Sequence, residues 1–245
     1  MTFTRYLLSE KPEYRSRIDQ LSDEAWPVFL LNGDVHHWHL LFETFSAYQI
    51  LFIDSAGVLI AAGHTVPLTW DGSLSNLPQT IEEILLRAEQ SHLQNQEINT
   101  LAAVAAMVSS EHQGQGISSR LIQEMKNLAR QHAFTSLIAP VRPTWKSRYP
   151  LTPMEHYVKW ARTDGAPLDP WIRVHWHLGA QPLCIAPNTL TVKGSVDQWQ
   201  EWTKMIFPES GWYLVPGALQ PVQIDCERNI GRYEDPNYWM KHPVG

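Results

Sequence analysis

The feature that most constrains this chain is a succession of four segments beginning at residue 98. Residues 98–108 form a continuous apolar stretch of the kind found in strands buried on both faces. It runs into Glu111-His112-Gln113-Gly114-Gln115-Gly116. Residues 117–131 follow, with Leu121, Ile122, Met125, Leu128 and Ala129 at helical spacing. Residues 136–141 are a second apolar strand. A strand–helix–strand crossover makes the two strands parallel, so a glycine loop must sit between a buried strand and an amphipathic helix.

The rest of the chain reads around that centre. Residues 3–8 suit a short strand, and residues 12–20 have a helix-compatible charge mix. Asp34 is placed to cap a helix through residues 36–42. Residues 49–54 and 58–68 form a hairpin across Ser55-Ala56-Gly57. Residues 80–93 form a helix with Ile81, Ile84, Leu85 and Ala88 on one stripe. Beyond residue 141, helices are expected at 153–162 and 170–178, the second closed by Gly179. A strand follows at 184–192, then a short helix at 197–205, and residues 221–225 open the last strand.

The glycine loop carries the chemistry. The first four N–H groups of a helix lack intrahelical partners, and the helix dipole adds partial positive charge there. Glycines let an anion reach those N–H groups, so the construction suits a phosphate or pyrophosphate. A nucleotide-triphosphate loop would need Gly-Lys-Ser/Thr, and no lysine is present. A dinucleotide fold would need a third glycine where Ser119 stands, and an acid about 20 residues on. Residues 125–154 contain neither Asp nor Glu.

The segment from Met107 to Ser119, with Gln113-Gly114-Gln115-Gly116-Ile117-Ser118 at its heart, resembles motif A of the GNAT superfamily, the acyl-CoA N-acyltransferases. Gln113 fills the first motif position and Gly116 the fourth, while Ser118 stands where Gly or Ala is usual. The resemblance implies an α/β GNAT fold, a central mixed sheet with helices on both faces. It implies one domain over 1–245, with inserts around 71–96 and 142–170. It also implies that the amides of Gln113, Gly114, Gln115, Gly116, Ile117, Ser118 and Ser119 hold the pyrophosphate of coenzyme A. The backbone near Met107 and Val108 would hold the pantetheine and acyl carbonyl.

Acyl transfer to an amine needs a neutral amine, donors for the oxyanion and a proton for the departing thiolate. The family often places a tyrosine four residues before a helix-closing Gly-Phe. Here the run is His175-Trp176-His177-Leu178-Gly179-Ala180, which puts His175 at the tyrosine position as proton donor. Residues 98–108 contain no acid to act as base. His64, Glu97 or a water chain are the alternatives. Trp145, Arg148 and Tyr149 lie in a proline-bounded loop that reads equally as acceptor-pocket wall or stiffened surface. That loop and Asp169 to His175 resemble a poorly characterised bacterial GNAT subgroup. Arg148 is the residue suited to clamp a carboxylate on the acceptor.

Composition excludes several classes. With 19 Lys/Arg against 25 Asp/Glu, the net charge of −6 disfavours a coat for nucleic acid or anionic lipid. Residues 140–177 run against this trend, with six Lys/Arg and three acids. His36-His37-Trp38-His39 has no carboxylate or cysteine at ligand spacing, so no metal is expected. Cys184 and Cys226 read as free thiols, and no apolar stretch approaches the roughly 20 residues of a bilayer span. The expectation is a cytoplasmic N-acetyltransferase using acetyl-CoA on a small-molecule or peptide amine, by direct transfer in a ternary complex, with a homodimer compatible. The alternative is a non-catalytic acyl-CoA-binding or sensing module.

Overall fold

Strand β4 (Thr100–Val108) and strand β5 (Ser136–Val141) pair in parallel through three residues only, Thr100–Ala102 against Ser136–Ile138. This computed structural model describes residues 2–244. Before β4 come β1 (Phe3–Leu7), β2 (Gln49–Asp54) and β3 (Leu59–Leu68), each antiparallel to its neighbour. After β5 come β6 (Gln181–Gly194), β7 (Gly211–Tyr213), β8 (Val222–Asp225) and β9 (Ile230–Pro243). Among the described residues these make one mixed sheet in the order β1-β2-β3-β4-β5-β9-β8-β7, with β6 also paired to β9.

Helices cover both faces. On one face lies α4 (Ile117–Gln131), and its apolar stripe packs on Ile50, Phe52, Ala61, Leu101 and Leu137. The other face carries α1 (Arg15–Ala25), α2 (Leu40–Glu43) and α3 (Ile81–Leu93). Ile18 and Leu21 of α1 meet Leu51, Ala62 and Met107, while Ile84, Leu85 and Ala88 of α3 meet Val66 and Leu68. Thr80 caps α3 by accepting the Glu83 N–H at 3.0 Å. In the second half of the chain α5 (Met154–Tyr157) and α6 (Pro170–His177) precede β6. There α7 (Val196–Thr203) buries Trp199 against Phe29, Val222 and Tyr233.

Three expectations need correction. The helix expected over 36–42 is confined to Leu40–Glu43, and Asp34 does not cap it. The Glu82 carboxylate accepts from the His36 and His37 N–H groups at 2.9 and 3.2 Å, the groups an Asp34 cap would have held. The helix expected at 153–162 stops at Tyr157. The chain reverses at Asp164-Gly165, Ala161 bridges Pro167, and the Leu168 N–H donates to the Trp160 carbonyl at 2.8 Å. The last strand does not open at residue 221; β8 is a short hairpin arm, and the 14-residue β9 follows it.

Candidate active site

Beyond Ala102 and Ile138 the two parallel strands diverge. β5 stays paired to β9, and β4 stays paired to β3 through a bulge. The register steps from His64↔Ala105 to Thr65↔Ala103, leaving Val104 unopposed. The Ser109 N–H donates to the Ile60 carbonyl at 2.9 Å, which fixes the alternation along β4. Met107 therefore turns its N–H and C=O toward β3, while Ala106 and Val108 turn theirs into the gap. The Met107 side chain is buried on the α1 side and does not line the gap, whereas Ala106 and Val108 do.

The gap opens into a cavity of about 960 Å³. One end is the glycine loop. Gly114 and Gly116 adopt left-handed φ of +75° and +77°, and a Cβ built on either meets no atom within 4 Å. Gly116 is the N-cap of α4 and brings no side chain to it. Backbone N–H groups 114–119 donate to no backbone acceptor among the described residues. Gln113, Gly114, Gly116, Ile117, Ser118 and Ser119 line the cavity. The Gln115 side chain does not, and its amide donates to the Glu111 carbonyl at 3.3 Å. Glu24 of α1 accepts the Ser110 N–H at 3.0 Å and ties the start of the loop to that helix. Six unpaired N–H groups and a helix N-terminus make an anion cradle built from backbone alone.

α6 and the loop before it form another wall. Asp169 is buried and organises both. Its carboxylate caps α6 through the Trp171 and Ile172 N–H groups, at 2.9 and 3.1 Å. It also accepts the Trp145 N–H and the Tyr157 hydroxyl, both at 2.8 Å, and the Thr144 N–H at 3.3 Å. Trp145 is thereby held on the cavity. Arg148 and Tyr149 are not on it. Arg148 is exposed, with its guanidinium 4.7 Å from the Trp145 ring centre, and Tyr149 packs on Tyr157 and Trp160.

His175 lines the cavity from α6 and is buried. Its Nδ1 lies 2.9 Å from Nε2 of His242 on β9, and its Nε2 has no protein partner. Burial, then the neighbouring His242, pushes its pKa well below the ordinary imidazole value. His242 falls to about 4 through burial and the nearby Lys126 ammonium. Both rings are neutral at pH 7, so one donates to the other. Nδ1 of His242 also has no hydrogen-bond partner, so the geometry of the pair leaves both tautomers available. With His242 Nε2 as acceptor, His175 Nε2 carries a lone pair; with His242 Nε2 as donor, it carries a proton. His64 is buried off the cavity with its pKa lowered to about 3, and Glu97 is exposed before the opposite end of β4. Neither supplies a base here.

Two wall residues escaped the sequence reading. Arg142 directly follows β5, and Asp235 lies on β9. The Arg142 Nε–H sits 3.0 Å from both Asp235 carboxylate oxygens, Nη2 donates to the Gly217 carbonyl at 2.8 Å, and the Tyr233 hydroxyl donates to Asp235 at 2.6 Å. A position just past the carboxyl end of a parallel strand was the available signal for Arg142. Among the described residues no three His, Cys, Asp or Glu gather as a metal site.

No family model matches the chain. A curated relative, the arginine N-acetyltransferase AvaD of Aspergillus versicolor, is 33% identical over 252 residues, covering 89% of this chain and 85% of that protein. The loading GNAT-like domain of CurA from Lyngbya majuscula has a TM-score of 0.68 at 14% identity, covering 100% of this chain and 98% of that one. The GphF GNAT-like decarboxylase, solved with isobutyryl-CoA, has a TM-score of 0.62 at 13% identity, covering both chains fully. At such identities the two structures speak for the fold, and AvaD speaks for the family. The splayed strands, the glycine loop and that kinship converge: this chain belongs to the GNAT superfamily and is an acyl-CoA-dependent N-acetyltransferase with acetyl-CoA as its cosubstrate.

Proposed function

We propose that this enzyme transfers the acetyl group directly, in a ternary complex, to a small amino-acid-like amine, with arginine as the first acceptor to test. The observation that carries this reading is a single cavity holding the anion cradle, the open β4 edge and a polar wall of Arg142, Asp235 and Asn237. The relative's name supports arginine as the starting point. Amides 114–119 hold the pyrophosphate, and the backbone of Ala106 and Val108 pairs with the pantetheine arm. The amine nitrogen attacks the thioester carbonyl, the C–N bond forms and the C–S bond breaks. The proton the nitrogen loses passes to His175, whose partnerless Nε2 is reached once side chains of the cavity wall shift, and the thiolate departs with the electron pair of the C–S bond. His175 acts as base in the tautomer with a lone pair on Nε2, and as the proton donor expected from the sequence in the other. Two free thiols, Cys184 and Cys226, support a reducing, cytoplasmic setting. No helix among the described residues is long and apolar enough to cross a membrane.

The test is thiol release from acetyl-CoA with a panel of amines, together with calorimetry of acetyl-CoA binding. Gly116→Glu should abolish acetyl-CoA binding through like charge and a strained positive φ. His175→Ala should keep that affinity and lower turnover by roughly 10²-fold. Unchanged affinity in the first variant, or unchanged turnover in the second, counts against the assigned roles.

A further inference from the structure

Resting on the amine-acetylation reading above, we infer that Arg142 is a carboxylate clamp and that the acceptor is an α-amino acid acetylated on its α-nitrogen. Arg142 follows Val141, the last residue of β5, and both line the cavity where the strands diverge. Its guanidinium is held from behind: Nε by Asp235 and Nη2 by Gly217. Nη1 has no partner among the described residues, and it is not among the sealed, unpaired atoms. The side chain keeps 18% exposure, against 3% for Asp235. A cation fixed on one edge and free on the other is arranged to receive a second carboxylate end-on.

The nucleophile follows from the bases present. Among the described residues Asp235 is the one acid on the cavity lining, and Arg142 and Tyr233 already occupy its carboxylate. A guanidinium, with a pKa of about 12.5 or more, finds no base there able to neutralise it. An α-amino group titrates several pH units below a guanidinium, so part of it is neutral near pH 7 without a strong base. In an α-amino acid the amine and the carboxylate share one carbon. A carboxylate on Arg142, one residue past Val141, therefore brings the α-nitrogen toward the acyl gap and sends the side chain away from it.

The experiment compares L-arginine with agmatine, the same molecule without its carboxylate, and locates the acetyl group by tandem mass spectrometry. The expected product is Nα-acetylarginine, with kcat/KM for agmatine lower by roughly 10- to 100-fold. Arg142→Lys keeps a cation beside Asp235 but loses the fork. It should bring arginine down to the agmatine rate while acetyl-CoA affinity holds. Equal rates for the two amines in the wild type, or acetyl on the guanidine, would overturn the clamp and leave the acetyltransferase reading standing. Thiol release with neither amine, but with unrelated ones, would overturn the acceptor reading and the clamp with it. The wild-type comparison decides even where the lysine variant does not fold.

Discussion

His64, His175 and His242 are each sealed from solvent, and each is held below the ordinary imidazole pKa chiefly by burial. In the unfolded chain the same rings titrate near 6.5. Between pH 6.5 and about 4 the unfolded state therefore binds protons that the folded state refuses, so stability falls as pH falls through that window. Each ring contributes about 1.4 kcal/mol per pH unit there. Thermal denaturation should show a melting temperature that drops steeply from pH 7 to pH 5. His64→Gln, at a position off the cavity, should flatten that drop by about a third. An unchanged slope in this variant would mean that His64 titrates in the folded protein.

Asp169 shows how one carboxylate holds two elements in register. It caps α6 and takes the backbone N–H groups of Thr144 and Trp145, so helix and loop move together. Asp169→Ala should cost about 3 kcal/mol, which lowers the melting temperature by roughly 6–12 °C. It should also raise KM for the acceptor more than for acetyl-CoA, because Trp145 faces the cavity. Calorimetric melts and steady-state kinetics check both, and a wild-type melt would refute the assignment. Asp169 was visible in the sequence as a residue before Pro170, but its grip on a loop 24 residues away was not. β4, the glycine loop and α4 were legible because an apolar run, two glycines and a helical stripe each declare themselves locally. β9 was not, since Arg232, Glu234, Asp235, Pro236 and Lys241 conceal a strand whose place is fixed by β5, β6 and β8 on its flanks. Asp235 and its hold on Arg142 were hidden with it. Arg148 drew attention by its loop chemistry, yet the chain turns it outward and leaves Arg142 at the strand end.

At the scale of the whole molecule, the divergence of β4 from β5 leaves the sheet as two blocks stitched by three residue pairs. The first block is β1–β4 with α1–α4, and the second is β5–β9 with α5–α7. A second, weaker stitch joins Gly33 to Val192. Along the backbone the seam is narrow, which lets one block open ahead of the other, although α4 on Leu137 and Phe29 on Trp199 also pack across it. Native-state hydrogen exchange without ligand should resolve two opening units of different free energy, with the Ala106 and Val108 amides exchanging early. Acetyl-CoA bound along the open edge touches the seam, and it stabilises by an amount that grows with the logarithm of its concentration. The two units should then merge into one, and a single unit in the free protein would show the seam to be stronger than its three pairs suggest. The gap that admits the substrate is thus also where the sheet is least bonded, and on this prediction the acetyl-CoA level sets how often the two blocks part.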